Sequence, residues 1–231
     1  MTRASPVICI DGPSGAGKGT LSQSLATQLG WHLLDSGALY RVVGFASQQK
    51  GVPLEDESAV AAVARELDVA FQPSDVGVLV LLEGQNVTSA VRSEEGGRGA
   101  SIVAALPEVR TALLSRQQKM ARPPGLIADG RDMGTVVFPD AELKLFLTAS
   151  PEARAQRRFH QLQGQEGSDT LARLLEDIQA RDARDEARAV SPLRPAEDAV
   201  VIDSTALSAH EVLELALQHV ASRGIESETS E

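Results

Sequence analysis

The sequence predicts a three-layer α/β fold, in which helices cover both faces of a parallel central sheet. A short apolar run from Val7 to Ile10 leads through a glycine-rich turn into a helical stretch from Lys18 to Leu29. A second run, from Trp31 to Leu34, leads into a helical stretch from Ala38 to Lys50. Strands and helices that alternate in this way form parallel sheets, because each parallel connection needs a long crossover. Residues 1–231 exceed the ~150 typical of one domain, so we expect a single domain with insertions.

The alternation stops between residues 52 and 99. A helix is predicted near residues 57–67, and two apolar segments at 69–71 and 78–82 precede a Gly84-Gln85 turn. Short apolar segments separated by turn residues are typical of a hairpin. We therefore expect an inserted antiparallel subdomain at approximately residues 52–99.

After the insertion the alternation of helices and strands resumes. The predicted elements are a helix from Pro107 to about Ala121, strands at 126–128 and 143–147, helices at 151–161 and 170–188, a strand at 199–202 and a helix at 208–222. The polar, glycine-rich residues 163–169 predict a loop between two of these helices. The acidic tail at 226–231 predicts disorder.

The composition is acidic, with 32 Asp and Glu against 22 Lys and Arg and a net charge of −10. Aromatic residues make up only 3% of the chain, which argues against a protein that binds nucleic-acid polymers through a basic face and stacking rings. Only four of the 22 basic residues are Lys, and the remaining Arg can bind phosphate as a bidentate fork. The single cysteine, Cys9, lies in an apolar run, which predicts a buried thiol. The sequence contains no run of 18 apolar residues, the length expected of a transmembrane helix. We therefore expect a cytoplasmic protein that contacts no membrane.

The residues that follow the first strand predict a phosphate-binding loop, or P-loop. They are Gly12, Pro13, Ser14, Gly15, Ala16, Gly17, Lys18, Gly19 and Thr20. Glycines let backbone N–H groups converge on phosphate oxygens, and the start of the following helix contributes its positive dipole end. Lys18 supplies a mobile charge for the terminal phosphates. An ordinary glycine-rich turn is the alternative, but such a turn would not need a Lys between a strand and a helix.

The end of this loop departs from the strict Walker A pattern. In that pattern Ser or Thr follows the Lys directly, whereas here Gly19 intervenes and the hydroxyl arrives at Thr20. The Gly-Lys-Gly-Thr ending is similar to that of nucleoside monophosphate kinases, and Thr20 is a candidate magnesium ligand. The only Asn of the chain is Asn86, which Val87 follows. The Asn-Lys-x-Asp motif with which GTPase switches read guanine is therefore absent.

Candidate acceptor-binding residues follow two other strands. Ser36 and Arg41 bracket the first turn of the second helix, where a hydroxyl and a guanidinium could meet an anion. Alternatively, Ser36 only caps the helix and Arg41 lies in solvent. Asp129, Arg131 and Asp132 follow the strand at 126–128, and buried charges require partners. Asp129 resembles a Walker B Asp that could hold a magnesium-bound water, although an ion-pair network of Arg131 with Asp132 or Asp129 is an alternative.

Three Arg residues share one face of the helix that precedes the loop at 163–169. Arg154, Arg157 and Arg158 have the i, i+3 and i+4 spacing that places side chains together. A cationic face beside a loop suggests a lid, at approximately residues 151–170, that closes over the transferring phosphates. Surface arginines without such a role are the alternative.

The next helix carries an apolar stripe that turns into a charged one. The stripe runs through Leu171, Leu174, Leu175 and Ile178 and continues, with the same period, into Arg181, Asp185 and Arg188. These three residues are predicted to face a site, and a solvated face with weak i, i+4 ion pairs is the alternative. By residue type alone, Ser101 and Arg110 are weaker candidates.

Taken together, these stretches resemble the bacterial cytidylate kinases. The matching stretches are Gly12–Thr20, Asp35–Arg41, ASIVAALPEVR ending at Arg110, DGRDMGTVVFPD at 129–140 and QARDARDEARAVSPLRPAEDAVVID at 179–203. The resemblance covers nearly the whole chain, and two of these stretches, DGRDMGTVVFP and ARDARDEAR, are not general kinase motifs. It implies that the insertion at 52–99 is an enlarged subdomain that binds the nucleoside monophosphate.

The resemblance also implies a role for each candidate residue. Gly12 to Thr20 would bind the phosphates of ATP, and Thr20 and Asp129 would hold Mg²⁺ directly or through water. The acceptor phosphate would be clamped by Arg41, Arg131 and Arg188, the cytosine edge read by Ser101, Arg110 and Asp132, and the ribose approached by Arg181 and Asp185. The catalytic charges would come from Lys18, Arg131, Arg154, Arg157 and Arg158.

The predicted reaction is transfer of the ATP γ-phosphoryl group to CMP or dCMP, with Mg²⁺ as cofactor and a monomer as the expected state. One alternative is a kinase of another small acceptor, of the shikimate or adenylate kinase type. Another is a nucleotide-dependent binding module without enzymatic activity, in which the charged helix around Arg181 contacts a protein partner.

Overall fold

A computed structural model describes residues 5–74, 77–162, 170–188 and 190–225. The described residues form the strands β1 Val7–Asp11, β2 His32–Asp35, β3 Val69–Ser74, β4 Gly77–Leu82, β5 Gln85–Asn86, β6 Leu126–Gly130, β7 Leu143–Thr148 and β8 Val200–Asp203. They also form the helices α1 Lys18–Leu29, α2 Ser36–Gln49, α3 Glu57–Arg65, α4 Thr88–Arg92, α5 Glu94–Val103, α6 Pro107–Gln118, α7 Pro151–Leu162, α8 Leu171–Glu186 and α9 Ala209–Ser222. The predicted loop at 163–169 and the predicted disordered tail at 226–231 lie outside the described residues.

The central sheet has five strands in the order β2-β6-β1-β7-β8. β1 pairs in parallel with both β6 and β7, and β7 pairs in parallel with β8. This arrangement confirms the predicted α/β fold with a parallel sheet. The register sets Asp11 beside Gly130 of β6 and beside Phe146 of β7. The loops that follow β1, β6 and β7 therefore leave the sheet at the same edge, where ligands of open parallel sheets bind.

The core forms around β1, in which every residue is buried. Ile8 and Ile10 are fully buried and belong to one apolar cluster with Leu25 of α1, Leu145 of β7 and Ala216 of α9. A strand that is apolar along its whole length needs cover on both faces, which agrees with the predicted helical layers. Burial of a large aliphatic side chain contributes about 1.5–3 kcal/mol, so these contacts fix the strand from which the P-loop departs.

Cys9 of β1 is fully buried, as predicted for a structural thiol. Burial, with a smaller contribution from the negative charge of Asp11, raises the pKa of the Cys9 thiol well above its ordinary value. Within the described part of the chain, every helix is too short or too polar to cross a membrane.

The chain divides into two compact units. The first contains residues 1–34 and 118–231 with the parallel sheet, and the second contains residues 35–117. In the second unit, β3, β4 and β5 form an antiparallel sheet in that order. The predicted hairpin is therefore present, and the compact unit extends beyond the predicted insertion at 52–99 on both sides.

Two helices of the second unit, α4 and α5, were not predicted from the sequence. Three of the ten residues of α5 are Gly, and Gly is the weakest helix former after Pro. Glycines on both helices allow α2 and α5 to pack closely. A Cβ added to Gly44 of α2 would lie only 3.2 Å from the carbonyl carbon of Gly99 in α5. Tertiary packing thus stabilises a helix that local propensity does not indicate.

Candidate active site

The P-loop connects β1 to α1 and depends on three glycines with positive φ. Gly12, Gly15 and Gly17 have φ values of 145°, 80° and 98°, a region that residues with a side chain rarely adopt. At Gly12 an added Cβ would also lie only 2.0 Å from the carbonyl oxygen of Leu147 in β7. The loop therefore has the backbone that its sequence predicts, and its first Gly is required by both conformation and space.

Lys18 begins α1 and lies almost entirely buried beneath this loop. Its Nζ donates a hydrogen bond to the Pro13 carbonyl oxygen at 3.0 Å and lies 3.9 Å from Oδ1 of Asp129. Burial and, after it, the positive charges of Arg131 and Arg181 lower the pKa of Lys18 to about 8, and the negative charges of Asp129 and Asp11 offset only part of this shift. The ammonium group is thus held in a crowded cationic environment that a polyanion would relieve.

A second carboxylate at this edge, Asp11, is a residue that the sequence reasoning missed. It ends β1, is 5% exposed, and accepts hydrogen bonds from the backbone N–H groups of Met133 and Gly134 at 2.8 Å each. Burial raises its pKa to about 6 despite these hydrogen bonds. The available signal was a single charged residue at the end of an otherwise apolar strand.

Met133 and Gly134 open an unpredicted element, a π-helix at Met133–Val137. It follows Asp132 directly, and Asp132 is buried at 3% exposure. π-Helical turns are rare and occur frequently at functional sites. Asp129 therefore lies near the carboxyl end of β6, and Arg131 and Asp132 connect that strand to this turn.

Three of the predicted acceptor residues form one ion-pair cluster in the first unit. Asp185 is 1% exposed, its Oδ2 lies 3.1 Å from Nε of Arg131, and its Oδ1 lies 2.5 Å from Nη2 of Arg188. Burial alone would raise the pKa of Asp185, but Arg131, Arg188 and Arg181 hold it below its ordinary value. Arg131 is thus ion-paired with Asp185, which is not one of the partners named in the ion-pair alternative. The cluster presents two guanidinium groups whose charge exceeds that of the carboxylate between them.

The charged end of α8 lies on the buried face, as its period predicted. Leu174 and Asp185 are buried and Ile178, Arg181 and Arg188 are half-buried, while Leu171 in the first turn is exposed. Arg181 also reaches the P-loop, because its Nη1 lies 3.4 Å from Oγ of Ser14. A single helix therefore contributes side chains to both the P-loop and the Arg131 cluster.

Arg154 on α7 is buried against the P-loop. Its Nε and Nη1 donate to the carbonyl oxygens of Ala149 and Ser14, and both of its Nη atoms bond to the carboxylate of Asp182, at 3.0 and 2.5 Å. It is only 3% exposed. Sequence reasoning missed Asp182, because its position on α8 gives no sign that it faces α7.

The other two arginines of α7 differ in their contacts. Arg157 donates to the backbone carbonyl and side-chain oxygen of Ser204, and the Ser204 hydroxyl in turn donates to the carbonyl of Ala16 in the P-loop. Arg158 is half-buried beside Gln161. Arg154 and Arg157 therefore both connect α7 to the P-loop.

A cavity of about 450 Å³ opens beside the P-loop in the first unit. Its lining includes Pro13, Thr148, Arg154, Asp182 and Thr205. This volume falls within the ~300–1,000 Å³ of typical small-molecule pockets. The space is large enough for part of a nucleotide next to the phosphate-binding backbone.

In the second unit, α2 carries Ser36 and Arg41. Ser36 is 3% exposed, and the helix is capped by its neighbour Asp35, whose carboxylate accepts from the N–H of Ala38 at 2.9 Å. The guanidinium of Arg41 donates to the carbonyl oxygen of Val91 at 2.8 Å. The capping alternative for Ser36 is therefore not realised, and Arg41 is held in place by the backbone.

Ser101 and Arg110 are also buried in the second unit, at 9% exposure each. Arg110 donates to the Ala104 carbonyl oxygen at 3.2 Å, and its guanidinium carbon lies 5.8 Å from the ring centre of Tyr40. The buried Ser101 hydroxyl has no hydrogen-bond partner among the described residues. A ligand with a polar edge would satisfy that group.

The donors for a metal ion are sparse. Thr20 is exposed in the first turn of α1, and Oδ2 of Asp129 lies 3.8 Å from the position that a Cβ on the neighbouring Gly19 would take. Across the described ranges, no three His, Cys, Asp or Glu residues cluster as a metal site. A hydroxyl and one carboxylate nevertheless fit Mg²⁺, which keeps several waters and takes substrate phosphates as ligands.

The sequence comparisons with known proteins agree on one family. The sequence profile of the cytidylate kinase family matches residues 8–222. A cytidylate kinase of Stutzerimonas stutzeri is 56% identical over 227 residues, which cover 97% of this chain and 99% of that protein. A cytidylate kinase of Aeromonas salmonicida is 56% identical over 219 residues, 95% of each chain. Among solved structures, a shikimate kinase from Acinetobacter baumannii is 19% identical over 96% of each chain, with a TM-score of 0.44.

Proposed function

This chain belongs to the cytidylate kinase family, and from that premise we propose that it transfers the γ-phosphoryl group of ATP to CMP or dCMP. The products are ADP and CDP or dCDP. The observation that carries this proposal is the shared sheet edge, where the P-loop and Lys18 lie beside Asp129, Arg131 and Asp132. As a member of this family, the chain is an ATP-dependent phosphotransferase. The sheet edge would supply groups for both a donor and an acceptor phosphate.

The reaction does not require a general base from the protein. The acceptor is a phosphate oxygen that is already ionised at neutral pH, so it attacks the γ-phosphorus without losing a proton to the enzyme. Catalysis then rests on bringing two polyanions into line and on stabilising the charge of the transition state. In this proposal Lys18 would contact the terminal phosphates of ATP, and Arg131 and Arg188 would bind the acceptor phosphate.

Mg²⁺ would be held by the Thr20 hydroxyl and, directly or through water, by Asp129. It would neutralise charge on the β- and γ-phosphates. The position of Asp129 supports this assignment, because its Oδ1 lies 3.9 Å from Lys18 Nζ at the P-loop. The arginines of α7 would complete the cationic surround, with Arg154 and Arg157 already attached to the P-loop and Arg158 beside them.

For base recognition we propose Asp132 of the first unit, and Ser101 and Arg110 of the second. The amino group of cytosine is a donor that a carboxylate accepts, and its ring nitrogen and carbonyl are acceptors for the other two side chains. Uracil presents an acceptor at the position of that amino group. The buried Ser101 hydroxyl without a partner in the described residues supports a ligand at this position.

Asp132→Ala is therefore expected to lower the preference for CMP over UMP by about tenfold or more, since a lost charged hydrogen bond is worth ~1.5–3 kcal/mol. The ratio of kcat/KM values for the two nucleotides measures this. Asp140→Ala, which changes an Asp outside the predicted site, is the control. An unchanged ratio in Asp132→Ala would argue against base reading by this residue.

The pH dependence of ATP use provides a second test. Because the pKa of Lys18 is about 8 rather than its ordinary 10.5, the free enzyme loses this charge between pH 7 and 9. We expect kcat/KM for ATP to fall as pH rises through about 8, while kcat falls less, since bound phosphates restore the charge. A kcat/KM profile for ATP that stays flat to pH 9.5 would contradict the assignment.

A substrate panel tests the function itself. CMP, dCMP, UMP, AMP and shikimate are each supplied with Mg-ATP, and ADP release is followed by a coupled assay. CMP or dCMP should give the highest kcat/KM. A preference for AMP or shikimate would favour a different small-acceptor kinase, and ADP release that no acceptor stimulates would favour a binding module. The proposed enzyme acts as a cytoplasmic monomer, which sedimentation of the purified chain and cell fractionation would test.

A further inference from the structure

The backbone that leads into the base-reading Asp132 is fixed from a distant strand. The peptide unit between Asp132 and Met133 is bonded at both ends. Its N–H donates to Asp11 Oδ1 at 2.8 Å, and its carbonyl oxygen accepts from Val136 and Val137 at 2.9 and 3.2 Å. The next N–H, of Gly134, donates to the other oxygen of Asp11 at 2.8 Å. Asp11 thus satisfies two of the N–H groups that the start of the π-helix leaves unpaired.

The same segment has no room to shift sideways. A Cβ at Gly130 would lie 2.8 Å from the side chain of Met133, and a Cβ at Gly134 would lie 3.0 Å from the stem of Lys144. Lys144 is itself held by Asp198 at 2.9 Å. Steric contacts therefore close the sides of the segment, and the hydrogen bonds to Asp11 fix its rotation.

We propose that Asp11 is a positioning residue that orients Asp132, and that the selectivity of the enzyme for cytosine depends on it. This inference rests on the proposed function, in which Asp132 reads the base. Asp11 itself contacts backbone N–H groups and not the substrate. Its effect travels through the Asp132–Met133 peptide unit, because rotation of that unit would swing the Asp132 side chain away from the base.

Both oxygens of Asp11 must be acceptors for this role. Asn at this position is nearly the same size, but it offers one acceptor oxygen and one NH₂ group, so one backbone N–H would face a donor. The charged groups that act on Asp11 are Asp132, which disfavours its ionised form, and Lys18, which favours it. Lys18 therefore helps to keep the carboxylate charged.

The test is a double-mutant cycle of Asp11→Asn and Asp132→Ala, read as the ratio of kcat/KM for CMP to that for UMP. Asp11→Asn alone should lower the ratio by about 10-fold, with KM for ATP changed by less than about threefold. The double variant should lose no more selectivity than Asp132→Ala, because Asp11 acts through Asp132. A Tm measurement on each variant accompanies the kinetics.

Ser208→Ala is the matched control, since it removes another side-chain acceptor of a backbone N–H, that of Glu211 in α9. It should lower Tm and leave the CMP to UMP ratio unchanged. If Asp11→Asn does not fold, Asp11→Ser keeps one acceptor oxygen and should show a smaller loss of the same kind. Equal losses of rate with CMP and UMP, or losses that multiply in the double variant, would overturn the inference. If Asp132→Ala itself leaves the ratio unchanged, base reading by Asp132 fails first, which separates the two failures.

Discussion

Lys18→Ala is expected to reduce kcat by about 10²–10³-fold. The ammonium group of Lys18 is fixed beneath the P-loop by the Pro13 carbonyl oxygen, next to Asp129. A fixed charge in a site shielded from water stabilises developing negative charge more than a mobile one in solvent does, and removal of a single such group commonly costs 10²–10³-fold in rate. Loss of the charge should also weaken ATP binding, so kcat/KM for ATP should fall further than kcat.

Steady-state ADP release with saturating CMP measures this effect. Lys119→Ala is the control, because Lys119 is an exposed Lys that follows α6 and lies outside the proposed site. It should retain the kcat and the Tm of the unmodified enzyme. A Lys18→Ala variant that keeps a near-normal kcat would exclude Lys18 from the catalytic role.

Asp185→Asn is expected to raise KM for CMP by about 100-fold and to lower Tm. The change keeps the shape of the side chain but removes the charge that lies between Arg131 and Arg188. Two guanidinium groups would then repel each other across a buried position, and breaking a buried ion pair from one side costs about 3–5 kcal/mol. Because the arginines are the proposed clamp of the acceptor phosphate, CMP binding should suffer more than ATP binding.

Asp198→Asn provides the comparison for this variant. It makes the same chemical change at an ion pair with Lys144, but the Asp198 carboxylate is 59% exposed and so stabilises the fold little. Its KM for CMP should be unchanged. Similar KM values for CMP in Asp185→Asn and the unmodified enzyme would mean that Arg131 and Arg188 do not depend on Asp185.

Much of the fold could be predicted from the sequence, because hydrophobic patterns and turn residues are local signals. The β1 strand, the P-loop and the Gly30 that ends α1 all lie where the pattern indicates, and Gly30 has the positive φ of a helix C-cap. The α5 helix could not be found in this way. Gly97 and Gly99 of this helix pack against Arg41 and Gly44 of α2. Such contacts between distant residues cannot be recognised from the neighbouring sequence.

The candidate site, like the fold, could be predicted only where the signal is local in the sequence. Residues in compact motifs, such as Lys18 and Asp129, were found because their neighbours in sequence are also their neighbours in space. Asp11 and Asp182 were missed because their partners are distant in the sequence. Met133 lies 122 residues from Asp11, and Arg154 lies 28 residues from Asp182. Pairing of this kind depends on which strand ends and helix faces meet, and that becomes known only with the fold.

The close approach of Gly12 to Leu147 changes how variation at position 12 should be interpreted. The nearest obstacle to a side chain is a carbonyl oxygen of β7, a strand about 135 residues away in the chain. Even the smallest step, to Ala, would require two strands of the sheet to move apart. Retention of Gly at this position among related sequences would therefore record the spacing of β1 and β7. A related protein that no longer binds a nucleotide would still need Gly at this position. The presence of Gly12 is therefore a poor marker of whether such a protein is still a kinase.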